Sequence, residues 1–229
     1  LSLPPYNFFY LNFISFPFLL LFYLSLEIKK NFSSFLYGWI FGFAYFVSNI
    51  YWIANSLTVE EIFKPLIPLA ITIIPLFLGS FYGISFLIFS YLKPKKKIGS
   101  IFLFALIFTF IEYLRGHIFG GFPWNLISFS LVEINQFIQI LSYVGTYSFN
   151  LLVVTIFLVP AVILFDVSSK AKLITVLLTV TLIISNLIFG NLVLNKHNNT
   201  PNSPMNTIVK IISPKIDLKR FFDGTDPSL

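Results

Sequence analysis

The residues best equipped for chemistry sit together mid-chain, in the run Glu112-Tyr113-Leu114-Arg115-Gly116-His117-Ile118-Phe119-Gly120-Gly121-Phe122-Pro123-Trp124-Asn125. Glu112 and Arg115 are three positions apart, so on a helix they share a face and can form an ion pair. At the edge of an apolar medium, pairing lowers the cost of holding two charges there. Gly116, Gly120 and Gly121 open backbone shapes that other residues avoid. Pro123 holds Phe122 extended and so presents the Trp124 ring. On physics alone this is a helix end with an ion pair and an aromatic anchor.

Other chemistries are narrowed by what the chain lacks. It contains no cysteine, which removes disulfides, thiolate metal sites and any cysteine nucleophile within these residues. His117 and His197 lie far apart without metal-ligand spacing, so neither a metal nor another cofactor is expected. Tyr51, Trp52 and Asn55 close an apolar run, either as an interfacial aromatic belt or as a wall for acyl chains or a lipid head group. Between Ile134 and Val144, apolar residues at helical spacing indicate a short helix, lying in the membrane surface or packed beneath a loop. The Lys93–Lys97 cluster fits anionic lipid heads or a plain topology signal.

These residues must be positioned by elements that live in lipid. Apolar residues make up 57% of the chain and charged ones 10%, and the mean hydropathy is +0.87. A soluble domain needs about a quarter of its residues charged to cover its surface. The formal net charge of +6 does not point to nucleic acid, because the lysines cluster in short loops between apolar runs. Runs of about 20 apolar residues match a hydrocarbon core of roughly 30 Å. Six qualify: Phe8–Leu26, Phe35–Ile53, Pro65–Leu92, Ile98–Leu114, Tyr147–Phe165 and Leu173–Leu194, with Pro75 a place for the third to bend. They are apolar on every side, which excludes the alternation of barrel strands. The expected class is therefore an all-α polytopic membrane protein of about six transmembrane helices.

The loops set orientation. Lysines at 29 and 30, at 93 to 97, and at 170 and 172 put the first, third and fifth loops in the cytoplasm. The second loop, the Arg115 loop and the C-terminal tail then face the other side, and so does Leu1, which implies one further helix upstream. From Asn195 the chain becomes a polar linker, and Ile208-Val209-Lys210-Ile211-Ile212 alternates as one strand. A lone strand makes no stable domain, so it reads as the start of something larger. The expected division is a helical membrane domain over 1–194, then a linker and first strand over 195–229.

Glu112-x-Leu114-Arg115-Gly116 followed by Gly121-Phe122-Pro123-Trp124 resembles the signature of bacterial apolipoprotein N-acyltransferases. The likeness continues in the Pro-Pro-Tyr of Leu1–Phe9 and in Gly38-x-x-Phe41-Gly42 leading to Tyr51-Trp52-Ile53. It also covers Val209–Ile216 with Pro214, which is similar to the first strand of that family's outer, nitrilase-like domain.

The resemblance implies acyl transfer from a phospholipid to the α-amino group of the lipid-modified N-terminal cysteine of a diacylated lipoprotein, in the bacterial inner membrane. It further implies a Glu–Lys–Cys triad on the periplasmic side working through an acyl thioester. No residue here matches that triad. Where the family often carries a tryptophan after the Pro214 region, Lys219-Arg220-Phe221 stands instead. The triad is expected beyond Leu229, and the 229 residues alone are expected to be inactive. Glu112 and Arg115 would brace the outer loops, and Phe122, Trp124, Tyr51 and Trp52 would meet lipid beneath the outer domain. Two rivals remain: a truncated membrane scaffold without activity, and a small transporter. The latter is disfavoured by the absence of internal repeats and of charges at span centres.

Overall fold

The computed structural model describes residues 2–4, 6–26, 31–92, 94, 96–198 and 210. The expected strand around Val209–Ile216 and the Lys219-Arg220-Phe221 segment lie outside the described residues, Lys210 apart, as do Lys29, Lys30, Lys93 and Lys95 of the loop lysines.

Every regular element among the described residues is helical. They are α1 (Asn12–Ser25), α2 (Asn31–Ile50), α3 (Ile67–Leu92), α4 (Lys97–Arg115), α5 (Asn135–Ile138), α6 (Leu141–Val144), α7 (Thr146–Leu158), α8 (Ala161–Leu164) and α9 (Ser169–Asn198). Short 3-10 turns cover Phe9–Leu11, Tyr51–Thr58, Glu61–Leu66 and Ile127–Leu131.

All six apolar runs are helices, but among the described residues four have both the length and the apolarity to cross a membrane. These are Glu61–Leu92, Lys97–Arg115, Thr146–Leu164 and Ser169–His197. Four of the about six expected spans thus meet both criteria among the described residues. The first run is helical only over Phe9–Ser25; at 1.5 Å per residue it falls short of a core of roughly 30 Å. The second, α2, has 20 residues but is diluted by Asn31, Ser33, Ser34, Ser48 and Asn49. The expected bend at Pro75 does not interrupt α3. The fifth run breaks between α7 and α8 at Pro160, which has no N–H to continue the ladder. The last helix runs on through Asn195, Lys196 and His197 to Asn198, so the boundary expected at Leu194 falls inside it.

Burial cannot drive helices together in lipid, where the alternative solvent is equally apolar, so close packing must. The α2–α3 interface is built that way. A Cβ on Gly42 would come within 2.8 Å of the Gly79 backbone, and one on Gly38 within 2.5 Å of the Tyr82 carbonyl. Gly79 and Gly83 are equally crowded against Phe43 and Phe35. Around this seam Phe46, Phe86, Phe104, Phe108 and Phe157 are fully buried. Polar tips inside the bundle find partners, as buried aromatic hydroxyls and indoles require: Tyr37 donates to the Leu19 carbonyl and Trp39 to that of Leu76. Large apolar side chains such as Ile40, Leu69, Ile73, Leu106 and Phe110 point outward, as expected of a lipid-solvated surface.

The connections sort onto two rims. Lys97 lies 4.0 Å from Asp166, bringing the third and fifth connections to one rim. Leu3, Asn49, Trp52, Trp124 and Phe129 gather at the other. The third and fifth connections share one rim, and the second loop and the Arg115 loop the other, as the lysine pattern leads one to expect. Residues 27–30 and the tail from 199, Lys210 apart, lie outside the described residues. The amphipathic segment after Ile134 is two single turns, α5 and α6, rather than one helix. Phe137 of α5 is buried, and its carbonyl accepts from Asn186 Nδ2 of α9.

Candidate functional site

Helix α4 ends at Arg115, and the N–H of the following Gly116 returns to the Glu112 and Tyr113 carbonyls. The chain then folds back on itself: the Phe122 N–H donates to the Arg115 carbonyl at 2.9 Å. Gly121 makes that return possible with φ +78°, in the left-handed region, while a Cβ there would meet the Gly116 carbonyl at 2.5 Å. Gly116 is needed for room rather than for conformation, since its Cβ would lie 1.9 Å from Tyr147 Oη.

Glu112 and Arg115 share a face as expected, with Arg115 Nη2 at 3.6 Å from Glu112 Oε1. The pair sits in the last turn of α4, at the end of the helix. Both side chains are completely buried inside the bundle. Arg115 Nη1 donates to the carbonyls of Phe122 at 2.7 Å and Trp124 at 2.9 Å. The guanidinium lies between two rings, 5.2 Å from the Phe46 centroid and 5.7 Å from that of Phe122. Its Nε and Nη2 have no hydrogen-bond partner, so the nearby carboxylate and the ring faces compensate the remaining charge. An uncompensated ion at this depth would cost several kcal/mol.

The carboxylate has two further partners that spacing along the sequence does not reveal. Tyr82 of α3 donates to Glu112 Oε1 at 2.9 Å, and Asn150 Nδ2 of α7 donates to Oε2. Asn150 Oδ1 in turn accepts the Ser128 N–H at 2.9 Å. Tyr45 of α2 donates to the Asn125 carbonyl at 3.0 Å. Phe122, Trp124, Asn125 and Ser128 are thus each fastened to the bundle. A polar residue amid an apolar run, such as Asn150 within Phe149–Leu158, is the one sequence signal that could have pointed to this network.

Trp124 is half exposed and packs against Trp52, with ring centroids 5.5 Å apart; Phe122 lies 5.5 Å from Trp124 on the bundle side. Pro123 between them is exposed. The two tryptophans border a groove of about 410 Å³ completed by Leu3, Pro4, Asn49, Asn125, Phe129 and Val132. Its walls are apolar apart from the two asparagines. Tyr51, expected beside Trp52, turns away and lines a crevice against Ala70, Ile71 and Ile74 of α3. The structure therefore unites Glu112, Arg115, Gly116, Gly121, Phe122, Pro123, Trp124 and Trp52 at one rim and leaves Tyr51 out. His117 is exposed and packs against Tyr113, with ring centroids 4.2 Å apart. Among the described residues, no three His, Asp or Glu side chains gather as a metal site would require.

Residues 1–159, which include this whole site, match the family described as the apolipoprotein N-acyltransferase N-terminal domain. The chain belongs to that family. It is 31% identical to the apolipoprotein N-acyltransferase of Sinorhizobium medicae over 99% of its own length and 43% of the relative's. With that of Allorhizobium ampelinum the identity is 34%, again over 99% of this chain and 43% of the relative. The Brucella melitensis protein is 34% identical over 71% of this chain and 32% of its own length. The chain thus spans less than half the length of the apolipoprotein N-acyltransferases it matches, and it matches their N-terminal parts.

Proposed function

We propose that these residues are the membrane half of an apolipoprotein N-acyltransferase. That enzyme would move an acyl chain from a phospholipid to the α-amino group of a diacylated lipoprotein's N-terminal cysteine. The reading rests on family membership, and one observation gives the membrane half its role: the buried Glu112–Arg115 pair holds Phe122 and Trp124 at the mouth of an apolar groove. Both substrates carry acyl chains in the bilayer, so their reacting groups must be met at its surface. The two tryptophans are the side chains that favour the headgroup level. The groove falls within the usual range of small-molecule sites, about 300–1,000 Å³. Its rim faces the periplasm in this reading, in the bacterial inner membrane, with residues 195–229 leading towards a nitrilase-like domain.

For the 229 residues alone the proposed role is holding rather than reacting. The chain has no cysteine to form the acyl thioester that the family resemblance implies. Orientation can nonetheless supply much of a rate, and a misplacement of 1 Å can cost about 10²-fold. The test uses the full-length Sinorhizobium medicae relative, with alanine at the positions matching Arg115 and Trp124. Acyl transfer from phospholipid to a diacylated lipopeptide should fall by about 10²-fold. Turnover equal to that of the parent in both variants would overturn the assigned role.

A further inference from the structure

The Glu112 carboxylate has two arms, and only one of them reaches the outer connection through Arg115. The other runs through Asn150. This side chain is fully buried, four residues after α7 begins. Its Nδ2 donates to Glu112 Oε2, and its Oδ1 accepts the Ser128 N–H at 2.9 Å. Arg115 holds the near half of the connection at Phe122 and Trp124, while Asn150 holds the far half at Ser128. Phe129, which lines the same groove as the two tryptophans, follows Ser128 directly.

Asparagine is unusual in this place because it must donate on one side and accept on the other. Leucine would strand the Ser128 N–H, and serine has too short a side chain to bridge both partners. The Ser128 N–H is buried and donates to Asn150 Oδ1, and such groups are costly to leave unpaired.

We infer that Asn150 is a positioning residue: through its bonds to Glu112 and Ser128 it sets the far wall of the Trp52–Trp124 groove. What the groove holds rests on the function proposed above; the placement of its wall does not.

The test is a distance measurement on this chain in lipid nanodiscs. The cysteine-free sequence admits paired spin labels at Ser48, next to the groove-lining Asn49, and at Val132 of the groove, with a second pair at Ile40 and Leu106; all four positions are exposed. In Asn150→Ala the 48–132 distance distribution should shift and broaden while the 40–106 distribution stays as in the parent. Val153→Ala, which truncates a fully buried apolar side chain one turn on, should leave both unchanged.

A polarity swap supplies the conservative rescue. In Asn150→Asp two carboxylates face each other, and the 48–132 distance should again be disturbed. In Glu112→Gln/Asn150→Asp the new glutamine amide donates to the aspartate, which still accepts from Ser128, while Tyr82 still donates to residue 112. The parent distribution should return. If Asn150→Ala does not fold, the swap carries the test alone. An unchanged 48–132 distance in Asn150→Ala, or a swap variant as disturbed as Asn150→Asp, would overturn the inference. Because the readout is a distance, its failure is distinct from a failure of the acyl-transfer assay.

Discussion

Removing Arg115 probes the least replaceable feature of the site. In Arg115→Ala the Glu112 carboxylate remains fully buried with only Tyr82 and Asn150 as partners, and the carbonyls of Phe122 and Trp124 lose their donor. Breaking a buried pair by deleting one member costs about 3–5 kcal/mol, because the remaining ion is stranded. Glu112→Ala should cost a similar amount for the mirrored reason. The double variant strands neither charge, so its cost should be less than the sum of the two, by about 0.5–3 kcal/mol. The assay is equilibrium unfolding in mixed detergent–lipid micelles, followed by helicity, for the parent and the three variants. Single-variant losses below about 1 kcal/mol would mean that the pair is solvated rather than desolvated. Additivity to within about 0.5 kcal/mol would mean the two side chains act independently. Either result would refute the reasoning from burial.

Four more outcomes follow, three from the packing and one from the position of the groove. In Gly42→Ala the new Cβ lies 2.8 Å from backbone atoms of Gly79, which cannot move aside; it should cost about 1–3 kcal/mol in the same assay. Gly99→Ala, whose nearest neighbour would be the Lys96 side chain at 3.5 Å, should stabilise the helix by about 0.5–1 kcal/mol. Gly121→Ala should destabilise more than Gly116→Ala. The first meets a fixed carbonyl and a left-handed backbone, costing about 1–2 kcal/mol for conformation alone; the second meets chiefly the end of the Tyr147 side chain, and Tyr147→Phe should restore part of the loss. In a Trp39→Phe background, lipids brominated near the headgroup should quench the fluorescence of Trp52 and Trp124 more than lipids brominated at the chain ends. The reverse order would place the groove away from the membrane surface.

Read alone, the sequence determined that this is a helical membrane protein, where its apolar helices lie, that Glu112 pairs with Arg115, and to which family it belongs. Those properties are local: apolar runs, three-residue spacing and a contiguous signature. Tertiary structure decided the rest. It buried the pair completely, and it joined Glu112 to Tyr82 and Asn150, which lie 30 and 38 residues away. It also brought Trp52 beside Trp124 and turned Tyr51 towards α3. Along an apolar run every face of a helix looks alike, because lipid and protein interior are equally apolar solvents. Which face meets a neighbour is set by where backbones approach most closely, here at Gly42 and Gly79. A tyrosine or asparagine therefore shows its partner only once the helices have docked.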